Sequence, residues 1–225
     1  MPTTYAHYRF GKEVTEALPR GLQNTIEYHR DLYDIGLHGP DILFYYKALK
    51  SHPVNQQGHT VHENFADTFF EHAVSVIEKA EDPTAARVYI YGVICHFALD
   101  SECHPYIEKM IRESGISHCE LEMEFDRMLM SDDFINPVRH LNTKHIHPTM
   151  RNAKIIAPFF EDVTPEEMQR SLKSMIFYHK LFLVPEPAKR KELFMAMKAI
   201  GKYDALHGIV MSLEPNPACR EYCML

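Results

Sequence analysis

The chain has 225 residues, 45% of them hydrophobic and 24% charged, a composition that excludes a largely disordered chain and allows a sizeable core. Its 31 acidic residues outnumber its 24 basic ones, for a formal net charge of −7, so binding of long nucleic acids through a basic face is not expected. Of its 15 histidines, 13 lie between His7 and His147, and imidazole is the commonest protein ligand for transition metals. Glycines are few and strict apolar/polar alternation is missing, so helix signals dominate.

In chain order, helices are expected over 20–35 and 40–49, separated by the turn Gly36-Leu37-His38-Gly39. Val61, Phe65, Phe69, Ala73, Ile77 and Ala80 recur at helical spacing and predict one amphipathic helix over roughly 60–81. Asp82-Pro83 restarts the chain as N-cap and first helical residue. That helix is expected to run to about residue 102, because Pro105 disfavours helical geometry at His104. Ser117 and Glu120 have capping-box spacing and open a helix to about residue 130. The stretch 131–148 reads as a long loop. Thr164 and Glu167 form a second capping box, for a helix to about residue 184. Pro185 and Pro187 break the chain, and 188–202 is helical again. The expectation is an all-α fold, with residues 1–225 forming a single domain. The opening MPTTYAHYRFGKEV lacks the apolar core of a secretory signal. The longest apolar run, 88–99, is too short to span a bilayer. With five cysteines, an odd number, the expectation is a cytoplasmic protein with reduced thiols and no transmembrane segment.

The chemistry concentrates in Cys95-His96-Phe97-Ala98-Leu99-Asp100-Ser101-Glu102-Cys103-His104-Pro105. His96 and Asp100 stand one helical turn apart, on an otherwise apolar helix. A buried aspartate is costly unless a cation relieves it. That cation is either a metal or an Arg or Lys from elsewhere, with the histidines then serving as satisfied core residues. His118 and Glu122 repeat the spacing on the next helix, unless Glu120, Glu122 and Glu124 are simply exposed charge. In Gly58-His59-Thr60-Val61-His62-Glu63 the segment HENFA lacks the second histidine of a zincin. His62, on the flank of the apolar stripe, is the preferred ligand there, with His59 in reserve. Cys95, Cys103 and Cys119 flank these positions and leave open a closed, structural thiolate site.

Taken in order, His7, the GPDI segment with Asp41, His62, His96-x-x-x-Asp100-x-x-x-His104 and His118-x-x-x-Glu122 resemble the ligand pattern of zinc-dependent phospholipase C. The resemblance covers roughly residues 5–125. Members of that family are all-α, hold three zinc ions in a cleft, and are related in fold to S1/P1-type nucleases. The resemblance implies that His62, His96 and Asp100 hold one zinc and that His104, His118 and Glu122 hold a second. Asp100 would also bridge to a third zinc, bound by His7. In secreted members the amino end of a tryptophan completes that third site; this chain has no tryptophan. Asp41 matches the acidic residue beside the metals, a general base or water-orienting group. The implied function is a zinc-dependent phosphoester hydrolase with two to three zinc ions. It would activate water at a multinuclear site for attack on a small phosphodiester or phospholipid. The alternatives are a nuclease or nucleotidase of the S1/P1 kind, or a non-catalytic metal-binding scaffold. Arg139, His140, Lys144, His145 and His147 either contact the phosphate or form a solvated loop.

Overall fold

A computed structural model describes residues 4–63 and 66–219, and the regular structure among them is helical, with no strand. The all-α class is therefore as expected. The helices are α1 Thr4–Ala17, α2 Arg20–Tyr28, α3 Arg30–Gly36, α4 Pro53–Glu63, α5 Ala66–Lys79, α6 Pro83–Ser114, α7 His118–Asp132, α8 Met150–Ile156, α9 Pro165–Phe182, α10 Pro187–Ala199 and α11 Tyr203–Leu206. A 3-10 segment, Gly39–Tyr45, stands between α3 and α4.

The chain divides into two compact units. The larger comprises His7–Leu99 and Thr143–Tyr178; the smaller comprises the described residues of Met1–Ala6, Asp100–Asn142 and His179–Leu225. The larger unit closes over a core that includes Leu32, Ile35, Leu43, Tyr89, Val93, Ile156, Phe159 and Leu172. Two glycines let α3 and α6 cross at backbone contact. A Cβ on Gly36 would lie 2.2 Å from the Tyr89 carbonyl oxygen, and one on Gly92 would lie 2.3 Å from that of Tyr33. This crossing delivers the turn after α3 onto α6. There Gly39 adopts φ +48, and a Cβ on it would fall 2.4 Å from the His96 ring.

In the smaller unit, one apolar cluster gathers Tyr5, Met130 and Met211, and another gathers Met110, Leu121 and Cys219. Buried charge ties the late chain to α7. Arg127 donates to Glu124 at 3.1 Å and to the Ser212 carbonyl, while Asn216 N donates to the second Glu124 oxygen at 3.1 Å. The amides of Tyr5 and Ala6 donate to the two oxygens of Asp126, at 3.0 and 2.8 Å. A carboxylate 120 residues away in sequence thus satisfies the first turn of α1.

Three expectations about helices need correction. The expected helix over 40–49 is instead the 3-10 segment Gly39–Tyr45 followed by turns, whereas the residues expected over 60–81 fall in α4 and α5, with residues 64–65, and hence Phe65, outside the described residues. The expected helix over 20–35 breaks at His29, whose φ of −116 and ψ of 33 leave helical geometry. The expected stop of α6 before His104 fails, because the helix runs through Pro105 to Ser114. An internal proline costs about 3 kcal/mol. Beyond it, however, Met110 is buried and Tyr106, Ile107 and Ile111 pack beside it. Each such side chain stabilises by roughly 1.5–3 kcal/mol when fully buried, so packing outweighs the lost hydrogen bond. His104 therefore stays on the helical face of His96 and Asp100.

Candidate metal centres

In the larger unit, Asp41, His62 and His96 each present a ligand atom within 4.8 Å of the others. Asp41 comes from the 3-10 segment, His62 from the last turn of α4 and His96 from the middle of α6. The His62 Nδ1–H donates to the Gly58 carbonyl at 2.7 Å, which turns Nε2 toward the Asp41 carboxylate, 2.9 Å away. A backbone carbonyl on the far nitrogen is the usual way a ligating imidazole is oriented. His96 is fully buried, with its ring under the Gly39 backbone. His7 stacks on it, with ring centroids 4.6 Å apart. The expected alternative, His59, is exposed and lies against Phe44 instead.

In the smaller unit, His104, His118 and Glu122 form a second such group within 4.8 Å. The capping Ser117 hydroxyl accepts from Glu120 N at 3.4 Å and fixes the start of α7. One turn later, Glu122 Oε1 stands 2.7 Å from His118 Nε2 and 3.9 Å from His104 Nε2. Asp100 is buried, and its Oδ1 lies 3.7 Å from His104 Nε2. Glu122 and Glu124 are both buried, so the glutamate run is not an exposed charged face.

Each centre offers two imidazoles and one carboxylate held by separate elements or turns. That donor set fits zinc in an open site, whereas all-sulfur sets belong to closed structural sites. No cysteine enters either group among the described residues. Burial, followed by the nearby Asp100 and Glu122 carboxylates, pushes the Cys103 thiol up and holds it protonated. Cys95 is likewise raised by burial and sits 3.4 Å from the Tyr33 hydroxyl.

The loop after α7 divides by residue. Arg139, Lys144 and His147 are exposed. His145 is not a solvated side chain: its ring stacks on Tyr8 at 4.0 Å, and its Nε2 meets His38 Nε2 at 2.7 Å. His140 meets the edge of Tyr5 at 6.5 Å. Sequence reasoning missed His38 and Gly39 as supports of the site. The signal available was the Gly-x-x-Gly-Pro turn just before Asp41.

A helical chain with two His/carboxylate donor groups defines a candidate metalloprotein of open, hydrolytic type. The chain matches the family described as Zinc dependent phospholipase C over residues 6–176, and it belongs to that family. No curated protein and no solved structure matches it. No helix among the described residues is long and apolar enough to cross a membrane.

Proposed function

We propose that this chain is a zinc-dependent phosphodiesterase of phospholipase C type, with residues 1–225 acting as one hydrolase domain on a phospholipid or a small phosphodiester. The observation that carries the reading is the pair of mixed His/carboxylate donor groups in a chain of this family. His62 and His96, with Asp41 beside them, would hold one ion, and His104, His118 and Glu122 another. Asp100 and His7 are the family-implied ligands of a third. Bound zinc supplies positive charge against the phosphate oxygens and acidifies water near neutral pH.

The chain's own residues do the rest. Gly58 holds the His62 tautomer through Nδ1, and Glu122 lies along His118. Asp41, buried beside His62, is the proton acceptor for the attacking water. The free thiols of Cys95, Cys103 and Cys119 suit a reducing compartment, and on that ground we propose a cytoplasmic location.

The test is zinc analysis of chelator-free protein, together with turnover of phosphatidylcholine, soluble phosphodiesters and phosphomonoesters. Two or more zinc ions per chain and a preference for diesters are expected. Less than one equivalent after adding zinc overturns the metal assignment. Full zinc loading without hydrolysis of any phosphoester overturns the enzyme and leaves a metal-binding scaffold.

A further inference from the structure

α7 carries His118 and Glu122 on one flank, while Glu120 and Glu124, one turn apart, lie on the opposite flank. Both of these glutamates accept from a single residue of the late chain. Asn216 Nδ2 donates to Glu120 Oε1 at 2.8 Å, and its backbone N donates to Glu124 Oε2 at 3.1 Å. Asn216 Oδ1 accepts from Ala218 N at 2.9 Å, so a flipped amide would lose both side-chain bonds. Asn216 also stands between Pro215 and Pro217, which restrict the backbone on either side. The start of α7 is held by the same stretch of chain. A Cβ on Gly208 would lie 3.3 Å from both Ser117 Oγ and Cys119 Cβ, and Ser117 is the N-cap directly before His118. Arg127 balances the Glu124 charge from within the helix. Apolar side chains on this flank would hold α7 at a lower cost than a buried glutamate. Directed hydrogen bonds add a fixed rotation of the helix, which a ligand pair on the other flank requires.

We propose that Asn216 is a positioning residue for the metal centre of the smaller unit. By bridging Glu120 and Glu124 it fixes the rotation of α7, and so aims His118 and Glu122 at an ion shared with His104. The inference rests on the metal assignment proposed above. The bridge comes from beyond residue 176, where the family match ends, so the late chain completes the frame of this centre.

The test is titration of the full chain with cobalt(II), a coloured stand-in for zinc. The absorption that His104→Ala abolishes reports this centre, and the absorption that His62→Ala abolishes reports the other. Asn216→Asp keeps the acceptor for Ala218 N but sets a carboxylate against Glu120 in place of the donor. Its cobalt affinity at the smaller unit's centre should fall about tenfold, the scale set by partners that orient metal ligands. Added negative charge alone would tighten a dication, so weakening reports lost aim. Adding Glu120→Gln returns a donor opposite the new carboxylate and should restore the parental affinity. Neither change should move the larger unit's centre. Asn216→Ala removes the bond without repulsion and should weaken the same centre, which keeps the test intact if Asn216→Asp does not fold. Parental or tighter binding in the folded single variants overturns the proposal. So does equal loss at both centres, or a double variant that stays weak. A parent in which His104→Ala changes no cobalt absorption sinks the metal assignment itself, and this inference with it.

Discussion

His62 is hydrogen-bonded to Gly58 one turn back on the same helix, Nδ1 to carbonyl oxygen at 2.7 Å, and this leaves its Nε2 as the nitrogen that faces Asp41. The same helix carries His59, exposed and tilted against Phe44. His62→Ala should therefore lose about one equivalent of zinc and most activity, whereas His59→Ala should keep both. Parallel metal analysis of the two variants decides which histidine is the ligand, and loss of zinc from His59→Ala alone would reverse the assignment.

The crossing of α3 and α6 gives a second prediction. A Cβ on Gly92 meets the Tyr33 carbonyl oxygen at 2.3 Å and Gly36 Cα at 2.8 Å, both backbone atoms that cannot swing aside. Forced overpacking of this kind costs about 3 kcal/mol or more. In a chain of this length that is a fall in Tm of roughly 6–12 °C. Gly21, with nothing within 4 Å of its added Cβ, is the control, and Gly21→Ala should hold or slightly raise Tm. Thermal melts that rank the two variants equally would show that the helices can part without cost.

Much of this was legible because the signals were local. The Thr164 box forms in both directions, with Glu167 N donating to Thr164 Oγ1 at 3.2 Å and Thr164 N donating to Glu167 Oε2 at 3.1 Å. Asp82 caps α6 by accepting from Ala85 N at 3.0 Å. The His-x-x-x-carboxylate pairs were readable for the same reason, since four residues on a helix bring side chains to one face. What failed depended on distant partners. The first turn of α1 relies on a distant acceptor, since Asp126 accepts from the amides of Tyr5 and Ala6. Pro105 punctuates the sequence correctly, yet the apolar residues after it hold the helix together. His145 sits among polar residues in sequence, and only the fold places Tyr8 and His38 against it.

Asp34 predicts a pH dependence. It is buried, and burial pushes its carboxyl up to about 6, against the pull of the Arg30 guanidinium 2.6 Å away. Its unfolded value is about 3.9, so the folded chain binds this proton more tightly. The resulting stabilisation is complete below about pH 4 and is lost as pH rises through 6, a change of up to about 3 kcal/mol. Asp34→Asn does not titrate. The stability of the parent relative to this variant should therefore decline between pH 4 and pH 7, followed by paired denaturation curves. A constant difference across that range would mean that pairing with Arg30 cancels the effect of burial.

Asp41 separates chemistry from architecture. It lies near the start of the 3-10 segment Gly39–Tyr45, where a carboxylate can act merely as charge at a helix end. That role predicts a small loss of stability in Asp41→Asn and unchanged turnover. The buried carboxylate is, however, aimed at His62 from 2.9 Å and shares a donor group with His96. Asparagine keeps one oxygen for a metal but cannot take a proton from water. Asp41→Asn should fold, retain zinc at His104, His118 and Glu122, and turn over a phosphodiester slower by a factor of ~10² to 10⁴. Titration with zinc tells the two site roles apart. If saturating zinc restores the parental rate, Asp41 is a metal donor only. A rate that stays low at full occupancy is the result expected of a proton acceptor, and an undiminished rate without added zinc would leave Asp41 as helix-end charge and nothing more.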